Sequence, residues 1–341
     1  MQDGQRNQRI VLASRPIGLP VSGNFRLEEI PISSLSEGEV LVRTHYLSLD
    51  PYMRRRMDDR PSYAPPVGLG EVMVGGTVGK VIESRDPRFK QGDMVEGMGG
   101  WQQYAVLKGD HLHQVDTGHA PVSTALGILG MPGMTAYTGL LTIGRPQQGE
   151  TLVVAAASGA VGAAVGQIAK LKGCRVVGIA GGARKTRSLI DELGFDAAID
   201  HKEPDFAQAL AQACPNGIDI YFENVGGQIF KTVLPLLNPF ARIPVCGLIA
   251  HANETRAPEG PDQVPDLFRA VLTKKLTIRG FIVHDFADQA QDFSKDMRHW
   301  IEQGMVRYRE DIVDGLANAP EAFIGLLQGH NFGKLLVRLH D

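Results

Sequence analysis

The sequence predicts a two-domain α/β protein, in which a compact β domain precedes a doubly wound parallel sheet. Three observations predict it. A chain of 341 residues is long for a single hydrophobic core. Up to about residue 120, short runs rich in Val, Tyr and Thr are separated by Gly, Pro and Asp. From Thr151 onward, strand-like apolar runs alternate with segments of helical spacing.

The first region contains the runs "EVLVRTHYLSL", "VMVGGTVGKVI", "DMVEGM" and "WQQYAVL" without a long helical period, so we expect a barrel-like β domain. The segment "GILGMPGMTAYTGL", residues 127–140, is predicted to be a helical crossover into the second region. Near the end of the chain, "GKLLVRL" is strand-like again, which is compatible with a return to the first domain.

The second region carries six candidate strands. Apolar residues at helical spacing lie between them, such as Val161, Val165 and Ile168 on one face. Strands separated by amphipathic helices imply βαβ units and a parallel sheet covered on both sides, as in doubly wound dinucleotide-binding folds. The candidate strands are Thr151–Ala156, Arg175–Ala180, Ala197–Asp200, Ile218–Phe222, Arg242–Val245 and Leu276–Val283.

The turn after the first of these strands has the form A-x-G-x-x-G, from Ala157 to Gly162. Gly159 would let the backbone approach a pyrophosphate, and Gly162 would let the helix pack closely on the strand. Amides at the helix start favour an anion. Small residues at such a turn can also serve packing alone. The position between a predicted strand and a predicted helix favours a nucleotide site.

The nucleotide is predicted to be NADP(H). An NAD site usually places an acidic residue about 20 residues after the turn, on the ribose 2′-hydroxyl. Here no acidic residue follows until Asp191, and the second strand ends in "GIAGGARKTR". Cations attract a 2′-phosphate, whereas a carboxylate repels it. The alternative is a solvated cationic helix start, which would oppose its own helix dipole. The cations are Arg184, Lys185 and Arg187.

Other classes of protein are disfavoured. A catalytic zinc needs converging Cys, His or carboxylate ligands, yet residues 1–120 contain no cysteine, and Leu69 stands where a ligating histidine is expected. The scattered Cys174, Cys214 and Cys246 do not form a disulfide framework and suit a reducing cytosol. A net charge of −3 offers no general attraction for nucleic acid or anionic membrane. We therefore expect a metal-free, cytoplasmic protein with a small-molecule partner.

Two side chains are candidate catalytic residues. Tyr52 follows an Asp-Pro turn in "LSLDPYMRRRM". It is interpreted either as a residue of a substrate cleft or as part of a plain turn. The neighbouring 54–56 arginines are interpreted as a solvated basic face. His251, in "CGLIAHAN" after a predicted strand, would face a nicotinamide, and a surface-loop histidine is the alternative.

Several segments together resemble the zinc-independent medium-chain reductases, in the group of leukotriene B4 12-hydroxydehydrogenases and prostaglandin reductases, with plant double-bond reductases and bacterial curcumin reductases. They occur in the family's order across nearly the whole chain. They are "LSLDPYMR", "GMPGMTAYTGL", "AASGAVG", "GQIAKLKGCRVVGIAGG", "ELGFDAAID", "YFENVGG" and "GHNFGK".

The resemblance implies a GroES-like β-barrel domain at 1–126, a Rossmann NADP-binding domain at 127–304 and a C-terminal return to the first domain at 305–341, usually in a homodimer. It also implies NADPH-dependent reduction of the C=C bond of α,β-unsaturated aldehydes and ketones. Tyr52 matches a substrate-pocket tyrosine.

Carried over position by position, the resemblance implies a set of cofactor contacts. The pyrophosphate would lie at Ser158, Gly159, Ala160, Val161 and Gly162, and the 2′-phosphate at Lys185 beside Gly182. Asn224 and Asn331 match residues that contact the cofactor in the family. Backbone segments on the nicotinamide side match Cys246, Gly247, Leu248 and Ile249, and also Phe281, Ile282 and Val283.

The chain departs from the family at two positions. His201 stands where the family usually has the tyrosine of "IDYK", and we count it among the cofactor contacts. Ala252 stands where the family has the tyrosine of "S-x-Y-N", which orients or protonates the substrate carbonyl. The donor to that carbonyl is therefore a cofactor ribose hydroxyl, Tyr52, His251 or water.

The expected reaction is hydride transfer from NADPH C4 to the β-carbon of an enone or enal, where the cofactor carries the chemistry and the protein orients it. Two alternatives share the scaffold. One is an NADPH quinone reductase with a different pocket. The other is a weakly catalytic NADPH-binding sensor or scaffold protein, which the loss of a donor at Ala252 would permit.

If Tyr52 donates a hydrogen bond to the developing enolate oxygen, Tyr52→Phe will lower turnover by ~10²-fold or more. The measurement is NADPH oxidation with a saturating enone. Unchanged turnover would remove Tyr52 from that role.

Overall fold

The structure, a computed structural model, describes residues 6–255 and 262–340. Their contacts divide the chain into two units: the first runs up to Leu126 and again from Glu310, and the second is Gly127–Arg309. The return to the first unit thus begins five residues later than predicted. The reason is that Val306 is buried in the core of the second unit, and the backbone of Arg307 exchanges two hydrogen bonds with the Gln167 side chain.

The first part of the first unit is almost entirely β structure, as its sequence predicts. One short α-helix, α1 (Tyr52–Arg56), follows the third strand, and the other helical segments described there are short 3-10 turns at Ser22–Asn24, Gly109–His111 and Val122–Leu126. The strands are β1 (Arg6–Leu12), β2 (Phe25–Pro31), β3 (Glu39–Ser48), β4 (Thr77–Ser84), β5 (Met94–Gly97), β6 (Tyr104–Lys108) and β7 (Leu112–Gln114).

The second unit alternates strands and helices. Its helices are α2 (Met131–Thr138), α3 (Ala160–Leu171), α4 (Ala183–Asp191), α5 (Phe206–Ala213), α6 (Gly227–Val233), α7 (Val264–Lys274) and α8 (Ala290–Glu302). Its strands are β8 (Thr151–Ala155), β9 (Arg175–Ala180), β10 (Ala197–Asp200), β11 (Ile218–Phe222), β12 (Leu237–Val245) and β13 (Thr277–Gly280).

These six strands form one sheet in the order β10-β9-β8-β11-β12-β13, and every neighbouring pair is parallel. The predicted doubly wound sheet is confirmed. Three strands differ in length from the prediction, and β8 does so by a single residue. β12 begins before Pro239, because a register shift against β11 accommodates a residue without an N–H. β13 is shorter than predicted and lies at the sheet edge, where β12 is its one partner among the strands that the structure describes.

Alternation along the central strand β8 explains why helices cover both faces. Leu152 and Val154 point into one core, which α3 covers, whereas Val153 and Ala155 point into the other, which α5 covers. All four side chains are fully buried. A run that is apolar without a break is therefore what a parallel strand between two helix layers requires.

The chain returns to the first unit through β14 (Glu310–Asp314), α9 (Ala319–Leu327) and β15 (Lys334–Arg338). β15 pairs antiparallel with β3 and parallel with β14, so the tail extends the sheet of the first unit. Phe323 of α9 packs edge-on against Trp101, with ring centroids 5.6 Å apart. No helix within the described residues is both long enough and apolar enough to cross a lipid bilayer.

Candidate nucleotide-binding site

Two backbone features define the loop between β8 and α3. Ala156 adopts a left-handed conformation with φ +51°, which costs a non-glycine residue ~1–2 kcal/mol. A Cβ on Gly162 would lie 2.4 Å from the Ala156 carbonyl oxygen. Glycine at this position is therefore needed for close packing, as predicted. The left-handed residue lies one position before the first residue of the predicted A-x-G-x-x-G turn.

The start of α3 suits an anion. Gly159 precedes the helix in an extended conformation, and the first turn carries no acidic side chain and no side-chain cap. The first amides of an α-helix have no intrahelical acceptor, and the helix dipole adds partial positive charge there. Ser158 is the one polar side chain of this turn. These backbone donors at the carboxyl end of β8 fit a pyrophosphate group.

The loop between β9 and α4 brings cationic and imidazole groups to the same edge of the sheet. A Cβ on Gly181 would lie 2.9 Å from Lys202 Cε and 3.0 Å from His201 Nε2, so both side chains cross over this glycine. Gly182, with φ +92°, precedes α4, whose first turn carries Lys185. The surroundings fit a 2′-phosphate better than an uncharged ribose hydroxyl.

An acidic side chain does lie at this loop, but it points at the backbone. Asp200 at the end of β10 accepts hydrogen bonds from the amides of Gly182, at 2.8 Å, and Lys202, at 3.0 Å. These bonds lower the pKa of Asp200 and hold its carboxylate on the loop itself. Asp200 was not among the predicted site residues, because its partner Gly182 lies 18 residues away in sequence.

Burial lowers the pKa of His201 below its usual value, the nearby Lys202 and Lys185 act in the same direction, and Asp200 opposes them. The imidazole is therefore neutral at pH 7. Positive charge beside this loop comes from the lysines and from Arg184, and His201 offers a neutral ring N–H or lone pair.

The segments after β11 and β12 meet at the same edge. Asn224 donates a hydrogen bond to the Ala155 carbonyl, 2.8 Å away, which ties it to the end of β8. The amides of Cys246 and Gly247 donate to the Glu223 carbonyl, at 2.9 and 3.2 Å, and the amide of Ile249 donates to the Asn224 carbonyl at 3.4 Å. Beside them Leu248 is half exposed. The segment matched to the nicotinamide side, Cys246–Ile249, therefore lies beside Asn224, which was predicted as a cofactor contact.

Phe281 can contribute only backbone to a ligand. Its ring is buried and packs edge-on against Phe222 and Phe286. The following Ile282 amide donates to the Asp285 carboxylate at 3.2 Å, and Val283 begins a short 3-10 helix.

Both ring nitrogens of His251 have partners. Nε2 accepts a hydrogen bond from the Gly227 amide at 3.1 Å, which places the ring proton on Nδ1, 2.8 Å from the Glu254 carboxylate. The geometry supports a role in holding the loop at Gly227. Proton donation by His251 stays a prediction. Ala252 beside it is buried and has no polar side-chain atom.

Tyr52 and Asn331 belong to the first unit. Tyr52 begins α1, and burial together with the nearby Asp50 raises the pKa of its phenol well above 10, so it remains a proton donor. Asp50 is paired with Lys334 at 2.6 Å in a buried ion pair. Asn331 donates to the Gly333 carbonyl at 2.9 Å. The predicted contacts of Tyr52 and Asn331 with substrate and cofactor stay predictions.

The interpretation of the 54–56 arginines as a solvated face is wrong for Arg54, which is only 2% exposed. Its guanidinium pairs with Asp58 at 2.6 Å and donates to the Gly18 carbonyl at 2.9 Å. A buried guanidinium persists because these partners compensate its desolvation. The partner four residues away was visible in the sequence, whereas Gly18 was not.

Comparison with known proteins agrees with this architecture. Residues 8–115 match a family model described as the N-terminal domain of oxidoreductase, and residues 160–303 match one described as zinc-binding dehydrogenase. That description names zinc, but across residues 6–255 and 262–340 no group of three or more His, Cys, Asp or Glu side chains could hold a metal ion.

Full-length relatives are similar at high identity. The chain is 57% identical to the NADPH-dependent curcumin reductase of Escherichia coli, over 99% of this chain and 98% of the relative. It is 40% identical to a 2-alkenal reductase (NADP⁺-dependent) of Nicotiana tabacum, over 99% and 98% of the two chains. The crystal structure of CurA from Vibrio vulnificus in complex with NADPH superposes with a TM-score of 0.95 at 54% identity, covering 98% and 99%.

These matches extend over both units of the chain. The chain belongs to the zinc-independent medium-chain dehydrogenase/reductase family, in the group that contains curcumin, 2-alkenal and prostaglandin reductases.

Proposed function

We propose that this chain uses NADPH to reduce the C=C bond of α,β-unsaturated aldehydes and ketones. The observation that carries the proposal is the near-complete match, at 57% identity, to a curcumin reductase. The loop geometry supports the cofactor, because backbone donors at the start of α3 and cations beside Gly181 suit a pyrophosphate and a 2′-phosphate.

When bound, NADPH supplies the hydride that adds to the β-carbon of the substrate. The protein's task is to stabilise the negative charge that develops on the carbonyl oxygen. Tyr52 is suited to this because burial keeps its phenol protonated. Ala252 cannot donate, and the nitrogens of His251 are engaged with Gly227 and Glu254. Among these three protein groups, Tyr52 is therefore the proposed hydrogen-bond donor, and solvent protonates the enolate.

A substrate panel tests the proposal. Oxidation of NADPH would be followed by absorbance with an enone, an alkenal, a quinone and a saturated alcohol, each compared with NADH. We expect turnover of the enone and alkenal with NADPH and much less with NADH. Turnover of the quinone alone would replace the proposal with a quinone reductase. NADPH binding without turnover of any compound would favour a sensor.

Lys185→Ala is expected to reduce the preference for NADPH over NADH by about 10- to 100-fold, because one charge-assisted hydrogen bond to the 2′-phosphate is worth ~1.5–3 kcal/mol. The measurement is kcat/KM for both cofactors at a fixed enone concentration. Lys172→Ala is the matched control, since this lysine lies at the opposite end of α3, beside Trp300. An equal loss with both cofactors would show that Lys185 does not contact the 2′-phosphate.

We also propose that two copies form a homodimer through the β13 edge of the second unit. All four residues of β13 are exposed. On the neighbouring α7, Val264, Phe268 and Leu272 repeat every four residues and are 52–79% exposed. An exposed edge strand and an exposed apolar stripe are each an aggregation hazard unless covered, and a twofold axis pairs such an edge with itself.

Light scattering after size exclusion is expected to give about twice the chain mass of 36.9 kDa. The double variant Phe268→Lys/Leu272→Lys should elute as a monomer, because it places charges on the stripe. Leu171→Lys, at an exposed apolar position on α3, should remain dimeric. A monomeric parent chain, or a double variant that stays dimeric, would contradict this interface.

A cytoplasmic location is the remaining part of the proposal. Cys174, Cys214 and Cys246 are all unpaired, and burial raises the pKa of each thiol, to about 11, 11 and 12. Unpaired, protonated thiols suit a reducing compartment.

A further inference from the structure

Glu223 lies just beyond β11 at the carboxyl edge of the sheet and is 2% exposed. One of its carboxylate oxygens, Oε1, accepts three hydrogen bonds: from the amide of Val225 at 2.6 Å, the amide of Gly226 at 2.8 Å and the hydroxyl of Tyr221 at 3.1 Å. The side chain thus folds back over the loop that follows its own strand and fixes the start of that loop.

The backbone of the same residue binds the loop after β12. The Glu223 amide donates to the Pro244 carbonyl at 3.0 Å, and its carbonyl accepts from the amides of Cys246 and Gly247. Glu223 is therefore the residue at which the 224–227 loop and the 246–249 segment are joined. Its side chain binds the 224–227 loop, and its peptide group binds the 246–249 segment.

Further contacts make the two segments a single layer. The amide of Ala250 donates to the Val225 carbonyl at 3.0 Å, and the Gly227 amide donates to His251. A Cβ on Gly226 would lie 3.0 Å from the His251 ring, so the loop passes directly against it. Displacement of the loop at Val225 or Gly226 would therefore be transmitted to the 246–249 segment.

The electrostatics of Glu223 do not suit a simple stabilising contact. The pKa of its carboxyl is raised, because the effect of burial exceeds the opposing effect of the three hydrogen-bond donors. Its second oxygen, Oε2, is buried and has no hydrogen-bond partner among the described residues. A buried oxygen without a partner is costly in a fold, so its retention needs a reason other than stability.

We propose that Glu223 is a positioning residue for the nicotinamide half of NADPH. It acts through the 224–227 loop and the 246–249 segment and leaves the adenosine half, at the loops before α3 and α4, untouched. This inference rests on the implied assignment of Cys246–Ile249 to the nicotinamide side and of Asn224 to the cofactor. It extends that assignment to a residue which would hold both segments at the reacting ring.

The test separates the two halves of the cofactor. Adenosine 2′,5′-bisphosphate carries the 2′-phosphate and one phosphate but no nicotinamide. For Glu223→Ala we expect its Kd to stay within about twofold of the parent value, while the Kd for NADPH rises ~10-fold. Single-turnover hydride transfer to an enone should slow by ~10²-fold, as expected for a small misplacement of reacting groups. Glu223→Gln, which keeps the side-chain volume, should lie between parent and alanine variant.

Glu150→Gln is the matched control. Glu150 lies at the opposite end of the same sheet, where it pairs with Arg242 of β12 at 2.6 Å. The Glu150→Gln variant should have a lower melting temperature, and the ratio of its Kd for NADPH to its Kd for the bisphosphate should stay at the parent value. Equal weakening of bisphosphate and NADPH by Glu223→Gln, or no change in either, would overturn the proposal.

Two cases need a further comparison. If Glu223→Ala does not fold, Glu223→Gln and Tyr221→Phe, which removes one of the three donors, carry the same comparison. If the parent chain binds NADPH but does not reduce the enone, the proposed function fails, while the ratio of dissociation constants still decides the role of Glu223.

Discussion

The parallel direction of the six strands of the second unit is the constraint on which the site depends. In a parallel sheet every carboxyl end lies at one edge, so residues far apart in sequence are delivered to one place. Ala156, Gly181, Asp200, Glu223 and Cys246 each follow or end a different strand, and all five lie at this edge. Only the loops at this edge then need specialised sequences.

Close approaches to glycine and carboxylates that turn back onto the backbone shape these loops. Gly162 and Gly181 leave space where a Cβ would collide with a carbonyl or a side chain. Asp200 and Glu223 turn their carboxylates onto backbone amides of Gly182 and Gly226. Acidic groups at an anion-binding edge would normally repel the ligand. Here they order the loops, because they accept hydrogen bonds from amide donors of those loops.

Local pattern was sufficient for much of this protein. Continuous apolar runs such as Leu152–Ala155 and the spacing of Val165 and Ile168 on α3 predicted the strands, the helices and their two-sided layering. The glycine turn and the cations near Lys185 predicted the phosphate loops and the NADP preference, since a loop between a strand and a helix carries its own chemistry. The motif resemblance predicted the family.

Pairings between distant segments were decided only by the tertiary structure. The burial of Arg54 depends on the Gly18 carbonyl, 36 residues away, and the tautomer of His251 depends on the Gly227 amide, 24 residues away. Sequence periodicity describes which face a side chain occupies, but not which atom it meets across that face. For this reason local sequence was enough to predict the sheet and its loops, whereas Asp200 and Glu223 became visible only once the strand ends had been brought together.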